Sequence, residues 1–325
     1  MLALDSMLSL GPKDLDSLTD AEVLRLLRTA RRHLLAEDGG APITVALGRG
    51  RKRAKISLRI SAEDKGRRGS ERKVPSEMTL RLKRDETGKY VTVSLKTDVK
   101  RTWVWEPTGK YLNGDLCTTG VVIRWKFPGS SMNWGLITVA HAFDGTRSGW
   151  VNVAISPLVI LDAEVIRQSA KNANVDAAIV LISDDDVDKL ITAGILTSRN
   201  DPEIEPRTHG ELLSDESSSA GGESLRVASD AIASPASFRV NDFSDSEQCG
   251  TRNISPALIV SQDRSDVFQG GTSGSLWKVN GELAAMQCGG SAQDYSAGLG
   301  QPLSVLLAWC KKELYPASVQ IISGF

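Results

Sequence analysis

Three side chains in this sequence are of the types that together displace an acyl group: Ser273 in FQGGTSGSLW, His141 in GLITVAHAF and Asp176 in NANVDAAIVLIS. A serine hydroxyl attacks at neutral pH only with a base in hydrogen-bond reach and a third group to orient that base. Gly271 and Gly274 stand close on either side of Ser273, which permits a tight turn there. His33 lies in an Arg-rich helical pattern and His209 in a polar acidic stretch. His141, by contrast, closes an apolar run that reads as a buried strand ending in a small-residue turn, so it is the histidine suited to act as base. Asp176 stands at the mouth of a second apolar strand, residues 177–182, where a carboxylate is shielded enough to hold one histidine tautomer. Taken singly, the three read as a turn, a strand end and a loop. Taken together, they read as a nucleophile, a base and an orienting acid.

The segments TVAHAF, VDAAIVLI and GGTSGS resemble the three signature segments of trypsin-like (chymotrypsin-fold) serine peptidases of the intracellular, bacterial, non-zymogen type. The chain order His, Asp, Ser is that family's, whereas α/β-hydrolases run Ser, acid, His and subtilisins Asp, His, Ser. The resemblance covers roughly residues 103–325. It implies a mainly β fold, a chymotrypsin-like double β-barrel, that hydrolyses peptide bonds of a protein substrate through an acyl-enzyme. Ser273 would attack, His141 would act as base and then acid, and Asp176 would orient His141. The backbone N–H groups of Gly271 and Ser273 would form the oxyanion hole. The floor of the primary pocket, six positions before the nucleophile, would be Val267. An apolar floor favours small or medium uncharged side chains before the cut, and a slip of one residue, to Asp266, would reverse that preference.

Where zymogen-activated relatives carry an aspartate for a newly cut N-terminal ammonium, this chain has Thr272, so that switch does not operate. His141 is followed by Ala142, where many secreted relatives have a half-cystine. Cys117, Cys249, Cys288 and Cys310 are scattered, which points to reduced thiols rather than a disulfide frame or a zinc site, with Cys288 and Cys310 in the core. The expectation is a cytoplasmic peptidase with no cofactor, no metal and no membrane partner. Intracellular bacterial relatives often cut one dedicated protein, sometimes a defence effector. Two other readings stay open: a catalytically idle scaffold of the same fold, and a peptidase governed by nucleic-acid sensing.

The elements that must position these residues follow from pattern. In the later part, CTTGVVIRWKF and GLITVAHAF read as strands of one barrel, and ASFRV, PALIVSQ, GSLWKV and ELAAMQC as strands of the other. PLSVLLAWCKKEL reads as a closing helix, and residues 201–222 as a polar mobile loop. Ahead of the peptidase, Thr19 and Glu22 form a capping-box pattern before a helix whose Leu24, Leu27, Ala30 and Leu34 share one face. ITVALGRGRKRAKISLRI and MTLRLKRDETGKYVTVSLKT each read as a strand pair. The expected division is an α+β region over residues 1–100 and a peptidase over 101–325.

A net charge of -1 excludes a globally basic nucleic-acid binder, but it conceals an asymmetry. Residues 49–84 carry fourteen Lys or Arg against four acids, whereas residues 184–216 carry ten acids against three Lys or Arg and are expected in loops. The basic segment is the expected docking site for a regulatory protein or a polyanion.

Overall fold

In the computed structural model the described residues are 9–10, 14–38, 43–49, 56–62, 74–101, 103–107, 116–118, 120–144, 149–156, 159–207, 221–224, 236–261, 268, 272–279 and 281–324. They divide into two compact units. The first runs to Trp103 and also takes in Asn241–Glu247, and the second holds the rest of the described chain from Val104 on.

The first unit contains helix α1 (Asp20–Asp38) and strands β1 (Ser9–Leu10), β2 (Ile43–Arg49), β3 (Ile56–Ala62), β4 (Glu77–Lys83) and β5 (Tyr90–Arg101). The expected capping box is present, with Thr19 Oγ1 accepting the Glu22 N–H at 3.3 Å and Glu22 Oε2 accepting the Thr19 N–H at 2.9 Å. Val23, Leu26, Leu27, Ala30 and Leu34 form the buried stripe. Leu24, expected on that stripe, is only half-buried. It is turned about 100° from Val23, which carries it to the flank. Both expected strand pairs form, β2 with β3 and β4 with β5, each antiparallel. β5 additionally pairs in parallel with β3 and β1. The late segment Asp242–Ser244 pairs with β2.

The second unit is mainly β. Its early strands are β6 (Trp105–Pro107), β7 (Leu116–Thr118), β8 (Val121–Lys126), β9 (Met132–Thr138), β10 (Trp150–Ser156), β11 (Val159–Gln168) and β12 (Ala178–Ile182), followed by α2 (Asp184–Thr192). Its later strands are β13 (Gly221–Ser224), β14 (Ala236–Ser244, in this unit through Val240), β15 (Glu247–Cys249, in this unit from Gln248), β16 (Arg252–Ile254) and β17 (Ala257–Ser261). They continue through β18 (Leu276–Val279), β19 (Glu282–Ser291) and β20 (Ala297–Pro302) to α3 (Leu303–Glu313) and β21 (Ser318–Gly324).

A seven-stranded sheet runs in the order β21, β8, β9, β12, β11, β10, β7. Its core gathers Val122, Trp134, Leu136, Phe143, Leu161 and Val180. The pairings of the later strands run in a ring, β13 to β14, β17, β20, β19, β18 and back to β13. A ring leaves no strand edge unpaired. Phe238, Phe268 and Trp277 pack inside it with centroids 5.3–6.3 Å apart. Gly298 and Gly300 leave them room, since a Cβ on either would lie under 3 Å from an aromatic ring atom.

Two loop expectations change. The acidic block does not begin in a loop: Ser183 and Asp186 form a capping box that starts α2. Its acids are engaged nearby, Asp184 and Asp188 with Arg199 and Asp186 with Lys189. Of the stretch 201–222, residues 201–207 are tied down by backbone bonds from Ile204 to Ile321 and from Arg207 to Leu283. Gly221 and Gly222 open β13, and residues 208–220 lie outside the described set.

Candidate active site

Antiparallel pairing brings His141 and Asp176 together. β9 runs into a short 3₁₀ turn, Ala140–Phe143, and β12 lies beside β9 with Ala178 opposite Thr138. Extending that register by two residues sets Asp176 beside the start of the turn that carries His141. Both are nearly inaccessible, His141 at 8% and Asp176 at 1%. Asp176 Oδ2 meets His141 Nδ1, and Asp176 Oδ1 accepts the His141 backbone N–H at 2.9 Å. The carboxylate therefore grips both the ring and the backbone of one residue. In a neutral ring whose Nδ1–H donates to this carboxylate, Nε2 is the acceptor. Nε2 is buried with no hydrogen-bond partner among the described residues.

The backbone of Asp176 is itself clamped. Gln301 of β20 accepts the Asp176 N–H at 2.6 Å and donates to its C=O at 2.8 Å. Arg252 Nε lies 3.3 Å from Asp176 Oδ1, and the guanidinium is 3% exposed.

Ser273 lies on the turn before β18. The Ser275 N–H bonds to the Thr272 C=O at 3.1 Å, and Gly274 takes φ +92°, the left-handed region that favours glycine. Two backbone bonds fasten this turn to β19, from Gly274 N–H to Gln287 C=O at 2.9 Å and from Gln287 N–H to Ser275 C=O at 2.8 Å. The Gln287 side chain donates to Thr272 Oγ1. Thr272 is thereby tied by its side chain to β19. β19 pairs with β20, so the strand that fastens the Ser273 turn neighbours the strand that clamps Asp176. Ser273 Oγ donates to the Cys288 C=O at 3.3 Å.

The cysteines bear out the reading as reduced thiols where they are described. Cys249, Cys288 and Cys310 are free and buried, and Cys117 lies outside the residues whose side chains are described. Burial first, then the neighbouring Cys249 and Asp176, push the Cys288 thiol well above its usual range. Burial does the same to Cys310. Both are therefore inert as nucleophiles at neutral pH.

Of the residues expected at the site, His141, Asp176 and Ser273 are described, while Gly271 and both candidates for the pocket floor, Val267 and Asp266, lie outside the described residues. No cluster of metal-binding side chains occurs among the described residues. No described helix is long and apolar enough to cross a membrane. Arg252, Gln287 and Gln301 are the additions that the sequence did not single out.

No protein-family model and no curated protein matches this sequence. Among solved structures it is similar to Thermobifida fusca protease A, at 14% identity over 67% of this chain and 98% of that one, with a TM-score of 0.41. It is also similar to a Nocardiopsis protease (10% identity, 64% and 100% coverage, TM-score 0.37). A Cellulomonas bogoriensis chymotrypsin is a third such structure (13% identity, 64% and 99% coverage, TM-score 0.33). These are chymotrypsin-like serine proteases, the class that TVAHAF, VDAAIVLI and GGTSGS resemble.

Proposed function

We propose that the chain is a cytoplasmic serine endopeptidase that performs limited, regulated cleavage of a protein substrate. The observation that carries this reading is the His141 ring, whose Nδ1 is held by a buried carboxylate while Nε2 is left ready to accept a proton. In the acylation step Ser273 Oγ bonds to the substrate carbonyl carbon as its proton passes to His141 Nε2. The C–N bond then breaks, and the same proton leaves on the amine. Water repeats the sequence on the ester and restores the serine. Asp176 stays ionised throughout and stabilises the imidazolium. The Gly271 and Ser273 N–H groups hold the oxyanion, and Val267 sets the preference for small or medium uncharged residues before the cut.

The test is a fluorophosphonate probe. Ser273 Oγ bonds to phosphorus, the P–F bond breaks, fluoride leaves and His141 takes the hydroxyl proton. Labelling of the native chain that is absent from Ser273→Ala supports the reading, and an unlabelled native chain overturns it. A profile of cleavage sites then reads the pocket. Efficient cleavage after Arg or Lys that is abolished by Asp266→Ala would show the Val267 assignment to be wrong.

One observation favours a second reading, a catalytically idle protein of the same fold. Ser273 Oγ donates to the Cys288 carbonyl rather than to His141 Nε2. The labelling test decides between the readings.

A further inference from the structure

Arg252 is a buried cation for which the catalytic scheme above has no use. It sits at the start of β16, 2% exposed, and every arm of its guanidinium is directed at the elements that carry His141 and Asp176. Nε forms an ion pair with Asp176 Oδ1 at 3.3 Å, without an aligned hydrogen bond. Nη1 reaches the Ser169 C=O at 3.2 Å, Ser169 Oγ at 3.4 Å and the Ala170 C=O at 3.4 Å, just beyond the end of β11. Nη2 donates to Asp144 Oδ1 at 2.9 Å. Asp144 closes the His141 turn, its N–H bonded to the His141 C=O at 3.3 Å.

One planar group therefore joins the orienting carboxylate to the end of the turn that carries the base. A buried charge without partners is costly, so a guanidinium in this place must be matched by its surroundings. Here it is matched by two carboxylates and by two backbone carbonyls just beyond the end of β11. Ser169 also bonds to Ala177 in both directions, at 2.8 and 3.0 Å, next to Asp176 itself.

We propose that Arg252 is the positioning residue of this site: it fixes which Asp176 oxygen faces the His141 ring and balances the charge of the Asp144–Asp176 pair. With Oδ1 held between Arg252 and the His141 N–H, only Oδ2 is left for Nδ1. The inference rests on the proposed peptidase chemistry. The charged and titratable groups around the cluster are Asp144 from the turn, Lys171 at 3.7 Å from Asp144, Asp176 and His141, with Cys288 of β19 beside Asp176. Lys171 is 65% exposed, so Arg252 is the buried cation of the cluster. Its removal leaves two carboxylates to attract a proton to the imidazole, so the acidic limb of activity moves to higher pH.

The experiment measures fluorophosphonate labelling of the full chain as a function of pH, with the maximal rate separated from probe affinity. In Arg252→Gln the maximal rate falls about tenfold or more, the scale seen for outer partners that orient a metal-bound histidine. Its acidic limb also moves to higher pH. Arg252→Lys returns the limb to its native position, because the charge is restored, while the maximal rate recovers only in part for want of the fork. An unchanged limb in Arg252→Gln, or the same shift in Arg252→Lys, overturns the proposal. Should Arg252→Gln fail to fold, Asp144→Asn decides, since the Asp144 side chain is 28% exposed and its replacement is tolerable. A severalfold loss of maximal rate with unchanged probe affinity supports the clamp, and a native rate overturns it. If the native chain is not labelled at all, the peptidase reading fails and this inference with it. A labelled native chain with indifferent variants removes this inference alone.

Discussion

Ser273 and His141 act as a unit in the proposed mechanism, because neither the hydroxyl nor the imidazole does anything useful without the other. Ser273→Ala and His141→Ala should each remove about as much activity as the double variant, on the order of a millionfold in the comparable case. Turnover of a cleaved peptide measures this, and near-native activity in Ser273→Ala would overturn the mechanism. Activity should also decline on acidification, since only the neutral imidazole accepts the proton; a flat profile from pH 5 to 8 counts against His141 as base. These residues were legible in the sequence because each sits where an apolar run meets a turn, a local signal. The pairing of Ala178 with Thr138 is what then brings Asp176 to His141. Arg252 had no such signal. It stands in the polar string GTRNISP, and its partners Asp144 and Asp176 come from elements that only the folded chain brings to it. Gln287 and Gln301 were hidden for the same reason.

Glu22 shows how one cap organises its element. Its side chain is fully buried, with one oxygen on the Thr19 N–H and the other on Arg84 Nε at 3.0 Å and on the Asp85 N–H at 2.7 Å. Burial pushes this carboxyl up, but the bonds from Thr19, Asp85 and Arg84 outweigh it and hold it below its ordinary 4.5. The folded protein thus binds this proton more weakly than the unfolded chain does. Its contribution is fully present above about pH 4.5 and is lost as pH falls through the depressed folded value. Glu22→Gln turns an amide N–H₂ toward donors and leaves Arg84, 14% exposed, without its counter-charge. The expected cost is about 3 kcal/mol at neutral pH, shrinking below pH 4.5. Chemical denaturation at pH 7 and pH 3.5 measures it, and an equal cost at both would refute the assignment. The T-x-x-E pattern made this cap legible. The S-x-x-D pattern at Ser183 offered the same signal for α2, but the density of acids around it reads more readily as a loop.

At the scale of the molecule, the division of the chain is where sequence reading ends. The expected regions, 1–100 and 101–325, follow the reach of the resemblance along the chain, and Asn241–Glu247 groups with the first unit. ASFRV reads as a strand of the later barrel, and nothing in the sequence tells which partner the residues after it take. In the structure, Asp242–Ser244 pairs with β2, and Phe243 is 1% exposed. Asp242, fully buried, meets Arg59 Nη1 at 2.7 Å. Asp245 accepts the Val45 N–H at 3.1 Å and pairs with Arg31 at 3.3 Å. All of these partners precede residue 101. A chain beginning at residue 101 therefore keeps a strand segment that has lost its β2 partner, with Asp242 deprived of Arg59 and Asp245 of Val45 and Arg31. A strand edge that has lost its partner invites association. The truncated chain should aggregate or unfold at a lower temperature than the full one, and any loss of labelling should track that loss of structure. Co-expression of residues 1–100 as a separate chain should restore solubility by supplying β2. Size-exclusion chromatography and thermal unfolding check both outcomes. A monomeric truncated chain with the native melting temperature would show that Asn241–Glu247 does not depend on the first unit.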